Sequence, residues 1–183
     1  MAVIVDDTFL KKLKQKDVLA CKQLYLQYAD AMYAVCKRIL QNQVEAEDAL
    51  QDGFIKVFDN IHQFRNESTI GSWIKQIITN TCLNILKKKK ISWQEINEKH
   101  ANESEQESED EAPNNFSIEQ IKNAIEQLPN GYRVVFNLFM FENYSHLEIA
   151  NMLEITESTS KSQLFKAKNK LKEILLQSTN AHG

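Results

Sequence analysis

The sequence is poor in the residues that form turns: it has 4 glycines and 2 prolines among 183 residues. A fold of many strands needs such residues wherever the chain reverses direction, so this composition argues against one. Apolar residues instead recur at helical spacing along almost the whole chain, as in amphipathic helices. The sequence therefore predicts an all-α protein.

Cysteine is also scarce, and its three positions form neither a metal-binding nor a disulfide pattern. Cys21, Cys36 and Cys82 include no C-x-x-C pair, and no histidine lies at ligand spacing from them. This predicts reduced, packed thiols in a cytosol, and neither a metal site nor a cofactor. The first residues lack the basic start and apolar core of a signal peptide, and no apolar run is long enough to span a membrane. We therefore expect no membrane insertion.

The net charge of −3 is concentrated in one short segment. Six carboxylates lie within residues 103–111, and without them the rest of the chain would carry +3. A local acidic run differs in meaning from an acidic protein, and this segment has too few large apolar residues to build a core. We predict two small helical domains, residues 1–90 and 118–183, joined by an acidic flexible linker, residues 91–117. The linker can be a plain tether or a polyanion that occupies a positively charged channel.

The first domain is predicted to be a unit of three or four helices, and the pattern locates three of them. The first begins at Asp17, a typical N-cap residue. The second begins near Val44 and contains Gly53, at a cost of about 1 kcal/mol relative to alanine. The third begins near Ser72 and ends in a run of lysines, which suits the helix dipole and can also bind phosphate. The second helix has an apolar stripe and an opposite polar face, which carries Glu45, Asp48, Gln51 and Asp52.

The second domain ends in two predicted helices joined by a very short turn, between about Ser145 and Lys168. Ser145 and Glu148 form a capping box for the first of these helices, and Thr156 is a candidate N-cap for the second. The second helix opens with small hydroxylated residues and then becomes basic. This is the pattern of a DNA-binding helix-turn-helix, whose second helix enters the major groove.

Together these motifs resemble the extracytoplasmic-function (ECF) sigma factors, small bacterial initiation subunits of RNA polymerase. Residues 45–54 resemble the polymerase-binding signature of that family, and residues 64–81 resemble its promoter-melting segment. Residues 128–136 and the helix-turn-helix resemble its upstream-element domain. The resemblance implies a cytoplasmic bacterial transcription initiation factor. Its partners would be core RNA polymerase, promoter DNA and an anti-sigma factor.

The resemblance also implies roles for particular residues. The polymerase-binding residues would be Glu47, Asp48, Gln51 and Asp52. The face of Asp48, Gln51 and Asp52 would dock on a helical coiled coil of the largest polymerase subunit. The minus-ten element, with one unstacked base in a pocket shaped by the loop 64–72, would be contacted by Arg65, Ser68, Asn80, Lys87 and Lys88. The minus-thirty-five element would be contacted by Thr159, Lys161, Ser162, Phe165, Lys166 and Lys168. Phe165 can equally belong to the domain core.

Three residues depart from the pattern of the family. Glu154 occupies the turn position where glycine is common, which predicts a reshaped turn. Ser160 stands where an aliphatic residue is usual, and Gln163 where arginine is usual. The loss of that arginine predicts modest phosphate affinity in the upstream domain.

Three other functions are compatible with parts of the sequence. A stand-alone helix-turn-helix regulator would dimerise to read symmetric half-sites, but no spare apolar helix suggests a dimer seam. An enzyme would need Glu47, Asp48, Asp52 and His62 as metal ligands, yet Glu47 does not share the face of the two aspartates, and no phosphate loop or nucleophile–base pair is present. A pure protein adaptor is the third alternative. We therefore predict that the protein is not an enzyme.

Overall fold

A computed structural model describes residues 6–89 and 116–180, and no strand occurs within these two ranges. The prediction of an all-α fold is confirmed. The chain divides into two compact units, residues 1–89 and 90–183. Almost all of the predicted acidic linker lies outside the described residues. The helices are α1 Asp7–Lys14, α2 Val18–Leu40, α3 Gln43–Asn60, α4 Ile70–Lys88, α5 Ile118–Glu126, α6 Asn130–Met140, α7 His146–Leu153 and α8 Glu157–Asn180, with a 3-10 turn at Ile61–Gln63.

The first unit begins one helix earlier than the sequence pattern indicated. Helix α1 is capped by Asp6, whose side chain accepts a hydrogen bond from the backbone of Phe9. Three apolar residues of α1 are buried: Phe9, Leu10 and Leu13. The prediction that helical structure starts at Asp17 was wrong because eight residues give too few turns for a clear periodicity. Asp17 is nevertheless the N-cap of α2, where it accepts from the backbone N–H of Ala20 at 2.9 Å.

Helices α2, α3 and α4 pack on one another in pairs around one core. The other two predicted starts are nearly right: Asn42 caps α3, and Thr69 caps α4 through the backbone N–H of Ser72. Gly53 is explained by close packing of α3 on α4. A Cβ atom at Gly53 would lie 2.3 Å from Cδ1 of the fully buried Ile78, so any larger residue would displace that side chain.

The described part of the second unit contains α5 to α8, and the last two of these helices are the predicted pair. Ser117 caps α5 in a capping box with Gln120, and Pro129 precedes the first turn of α6. Long helix α8 packs against α5, α6 and α7. The guanidinium of the buried Arg133 donates to the backbone oxygen of Leu128 at 2.8 Å, and therefore joins α6 to the end of the preceding connection.

The three cysteines lie on α2 and α4. All three cysteines are free thiols, and Cys36 and Cys82 are fully buried. A hydrogen bond with Cys36, together with burial, raises the pKa of the Cys82 thiol, so this pair stays protonated and packed. Among the described helices, none combines the length and the apolar character needed to cross a membrane.

Candidate functional site

The polar face of α3 is exposed along its length. Asp48, Gln51 and Asp52 all face solvent, while the opposite side of the helix is buried against α2 and α4. Asp48 and Asp52 are one turn apart and lie on the same face. Two exposed aliphatic residues share this face: Val44 is 66% exposed and Ile55 is 59% exposed. Paired carboxylates between two exposed aliphatic side chains suit a protein-binding surface better than a purely solvated face.

Glu47 is exposed beside this face but is held by its neighbours. Its carboxylate accepts a hydrogen bond from Nε2 of Gln43 at 3.0 Å. It also accepts from the phenol of Tyr33 on α2, whose pKa is raised by partial desolvation and by the negative charge of Glu47. Glu47 therefore contributes charge beside this face and also interacts with Tyr33 of α2.

Glu45 does not belong to the exposed acidic face, contrary to the sequence prediction. Its carboxylate forms an ion pair with Lys89, at the end of α4, and its side chain is only 25% exposed. The pair braces the start of α3 against the end of α4. The lysine run after α4 is therefore partly engaged within the fold, although Lys88 is exposed and Lys87 is half-exposed.

A pocket of about 710 Å³ opens between the loop after α3 and the first turns of α4. Phe64 is buried and packs against Trp73, with ring centroids 5.4 Å apart. Helix α4 contributes Trp73 and Gln76 to the lining. The other lining residues are His62, Gln63, Phe64, Arg65, Glu67 and Ser68. The predicted site residues Arg65 and Ser68 are therefore brought together in one concave site.

Asn80 lies next to this pocket but is not one of its lining residues. It is exposed on α4, one turn beyond Gln76. Helical spacing places the two amides on the same side of the helix. The sequence interpretation missed Gln76, although its i, i+4 relation to Asn80 was the signal that could have identified it.

The helix-turn-helix has the predicted caps. Ser145 and Glu148 form a capping box at the start of α7, and Thr156 accepts a hydrogen bond from the backbone N–H of Thr159 at 3.0 Å. Glu154 has φ 58° and ψ 42°, the left-handed conformation that favours glycine. The turn therefore keeps its usual shape, and the prediction that Glu154 reshapes it was wrong.

The other two residues that depart from the family pattern, Ser160 and Gln163, lie on the inner side of α8. Ser160 is fully buried and lies 2.9 Å from Nδ1 of His146, which stacks on Phe139. Gln163 is only 1% exposed. The prediction of weaker phosphate contacts assumed that residue 163 faces DNA. That assumption was wrong, because Gln163 packs inside the domain.

The outer side of α8 carries the predicted DNA-binding residues. Lys161 and Lys168 are exposed. The half-buried ones are Thr159, Ser162, Phe165 and Lys166. One acidic group lies among them: Glu157 forms an ion pair with Lys161 at 2.8 Å, and that hydrogen bond and charge lower the pKa of the Glu157 carboxyl. The sequence interpretation missed this i, i+4 pair.

No group of three or more histidine, cysteine, aspartate or glutamate side chains with metal-binding geometry occurs among residues 6–89 and 116–178. Glu47, Asp48 and Asp52 lie on α3, whereas His62 lines the loop pocket. The residues considered as ligands of an enzyme metal site are therefore not brought together.

Comparison with known proteins gives matches in both units. Residues 24–91 match the Sigma-70 region 2 family, and residues 118–171 match the Sigma-70, region 4 family. The ECF RNA polymerase sigma factor SigW of Bacillus subtilis (strain 168) is 28% identical over 176 residues, which cover 91% of this chain and 94% of SigW. The RNA polymerase sigma factor SigZ of the same organism is 29% identical over 157 residues, with coverage of 84% and 86%.

A solved structure has the same fold. It is the sigma factor RpoE in complex with the anti-sigma factor NepR from Bartonella quintana, with a TM-score of 0.56 and 21% sequence identity. The similarity covers 84% of this chain and 95% of that chain.

Proposed function

The chain belongs to the extracytoplasmic-function sigma factors of the sigma-70 family, and we propose which of its exposed surfaces binds polymerase and which bind the promoter elements. As a sigma factor it is a transcription initiation factor that binds core RNA polymerase and directs it to specific promoters. The comparisons give no support to a stand-alone helix-turn-helix regulator. The factor contributes binding, and the chemistry of RNA synthesis belongs to the polymerase.

We assign polymerase docking to the outer face of α3. Asp48, Gln51 and Asp52 supply charge and hydrogen-bonding groups, while Val44 and Ile55 supply apolar contacts at either end of the face. A basic helix of the polymerase can meet the two carboxylates, and the flanking aliphatic side chains can exclude water from these ion pairs. Glu47 supports this face from its edge through Tyr33.

Recognition of the minus-ten element is assigned to the loop pocket and to α4. The aromatic pair Phe64 and Trp73 offers an apolar wall on which an unstacked base can pack. Arg65 and Ser68 can bind the sugar-phosphate backbone at the rim, and Asn80 can contact a base edge. Lys87 and Lys88 lie two turns beyond Asn80, where they can bind phosphates further along the strand.

Recognition of the minus-thirty-five element is assigned to the outer side of α8. Helix α7, the turn at Glu154 and α8 follow one another in the order of a helix-turn-helix, which supports α8 as the recognition helix. Thr159, Lys161 and Ser162 lie in the first two turns, where side chains reach base edges. Phe165, Lys166 and Lys168 follow on later turns and would contact the sugar-phosphate backbone.

An anti-sigma factor and a cytoplasmic location complete the proposal. The related RpoE was solved with the anti-sigma factor NepR, and CnrH, with a TM-score of 0.53, was solved with the cytosolic domain of CnrY. By analogy, this factor would be held inactive by a protein that covers its polymerase-binding or DNA-binding surfaces. The domain assignment we propose is residues 1–90 for polymerase and minus-ten binding, 91–117 as linker, and 118–183 for minus-thirty-five binding.

The observation that carries this proposal is the presence of both matches, in order, on one chain whose candidate surfaces are exposed. The test is run-off transcription from fragmented genomic DNA with purified core polymerase, followed by mapping of the RNA 5′ ends. We expect a defined set of start sites that depends on this protein and shares two spaced upstream elements. Initiation no more selective than with core polymerase alone would contradict the proposal.

A further inference from the structure

The exposed side chains of α4 form a continuous polar row. Positions 72, 76, 80, 84 and 88 are all exposed, and they follow one another at intervals of four residues. The three central residues are amides: Gln76, Asn80 and Asn84. Residues four apart are neighbours on one side of a helix. The row therefore runs from the loop pocket, which Gln76 lines, to the lysines at the end of α4.

The spacing of this row suits a single strand better than a duplex. Four residues of α-helix advance about 6 Å along the axis. Stacked bases in duplex DNA are separated by about 3.4 Å on each strand, so an unstacked strand, whose bases lie further apart, matches the spacing of the amides more closely. An unstacked strand, with its bases extended from one another, can present one base to each amide in turn.

Gln76 is the amide best placed to read the base inside the pocket. The other glutamine of the lining, Gln63, donates an Nε2 hydrogen to Oδ1 of Asn60 at 2.9 Å, so part of its amide is already engaged within the loop. Gln76 lies on α4, the same helix as Trp73, which is one of the two aromatic residues that form the apolar wall of the pocket. A carboxamide carries both a donor and an acceptor, as base edges do, and is uncharged.

Resting on the minus-ten assignment made above, we propose that Gln76 meets the edge of the base held in the loop pocket and is the specificity-determining residue for that base. Asn80 and Asn84 contact the nucleotides that follow on the same strand. Asn80 thus reads a neighbouring nucleotide, since it lies one turn outside the pocket lining.

The test uses the full-length protein with core polymerase and fork-junction DNA in which the minus-ten segment of the non-template strand is single-stranded. Each position is substituted with all four bases, and relative binding is measured for the wild type, Gln76→Ala, Gln76→Glu and Asn80→Ala. Gln23→Ala, an exposed glutamine of α2 outside the pocket lining, is the matched control. Circular dichroism confirms folding, which these surface substitutions should preserve.

We expect Gln76→Ala to reduce base preference at one position by about 5- to 150-fold, the discrimination of one good amide–base contact. Gln76→Glu leaves only acceptors, so preference at that same position should shift away from thymine and towards adenine, cytosine and guanine, which carry an exocyclic amine. Asn80→Ala should reduce preference at an adjacent position. The control should match the wild type throughout.

Two results would overturn the inference. One is wild-type preference at every position for both Gln76 variants; the other is loss of preference at a single shared position for Gln76→Ala and Asn80→Ala. The double variant Arg65→Ala/Ser68→Ala distinguishes failure of the role proposed for Gln76 from failure of the proposed function. If that variant impairs binding of the fork while Gln76 variants keep their preferences, only the role of Gln76 fails. If all variants bind normally, the minus-ten assignment itself fails.

Discussion

His146 Nδ1 lies 2.9 Å from Ser160 Oγ, so one polar contact joins the first residue of α7 to the buried side of α8, the proposed recognition helix. His146 also stacks on Phe139, with ring centroids 4.5 Å apart. The two helices of the helix-turn-helix are therefore held partly by a hydrogen bond. The next two predictions depend on this contact.

Replacing Ser160 with alanine should destabilise the second unit by about 1 kcal/mol, because the hydrogen bond is lost in a buried place. Hydrogen–deuterium exchange in α7 and α8 measures the effect locally. Ser158→Ala, at an exposed serine of the same helix, is the control and should leave exchange unchanged. Equal protection in both variants would show that the contact adds nothing to stability.

The second unit should lose stability as the pH falls below about 6.5, and His146 should account for part of that loss. Burial, and then the positive charges of Lys161 and Lys168, lower the pKa of His146 from its ordinary value of 6.5, while Glu157 acts in the opposite direction. The unfolded chain therefore binds a proton at a higher pH than the folded chain does, so acidification favours unfolding. The non-titrating variant His146→Gln should show a smaller loss of unfolding free energy between pH 7 and pH 5. An unchanged pH profile would contradict this role.

Reversing the charges of Asp48 and Asp52 to lysine should abolish binding to core polymerase while the fold survives. Both side chains are exposed, so the substitutions break no internal contact of the core, and like charges would then face a basic docking partner. Affinity capture of core polymerase provides the measurement. The double variant Asp7→Lys/Glu119→Lys changes the net charge equally at exposed sites on other helices, and it should still bind. Normal binding by the folded α3 variant would remove this face from the docking surface.

Glycine at position 154 should give a more stable protein than alanine at the same position, by about 1 kcal/mol. Glu154 has φ 58°, and a residue with a Cβ atom is strained in that conformation by about 1–2 kcal/mol. Both variants remove the glutamate side chain, so the comparison isolates the backbone term. Thermal unfolding of Glu154→Gly and Glu154→Ala provides the test, and an alanine variant of equal or greater stability would refute it.

The ion pair between Glu157 and Lys161 should restrain binding to the minus-thirty-five element. Glu157→Gln removes a negative charge from the end of α8 that we propose to face DNA, so affinity should rise and its salt dependence should steepen. Lys161→Ala should weaken binding by about 1–3 kcal/mol with altered base preference if the lysine reads a base, or uniformly, with the salt slope reduced by about one, if it binds phosphate.

Selection from a randomised upstream element at two salt concentrations distinguishes these outcomes. Lys170→Ala is the control, because this lysine lies further along α8 in a similar ion pair with Glu173. Unchanged affinity, preference and salt slope in both the Glu157 and Lys161 variants would show that this end of α8 does not face DNA.

Much of the fold was predictable because its signals are local. The caps at Asp17, Ser145 and Thr156 lie within three residues of the backbone groups they bind. Helix α1 was missed because a single short helix gives a weak periodic signal. Gly53 had no explanation in its own helix, because the reason for it is Ile78, a residue 25 positions later on α4.

The sequence by itself determined the all-α class, most helix limits, the order of the motifs and the acidic residues on the outer face of α3. These properties follow from periodicity and short-range hydrogen bonding, which depend on residues close together in the chain. Only the tertiary structure decided which polar residues are available to a partner. Packing buried Ser160 and Gln163, paired Glu45 with Lys89, and brought Gln76 rather than Asn80 into the pocket. The physical reason is that burial and ion pairing depend on neighbours distant in sequence, whose positions exist only once the helices have packed.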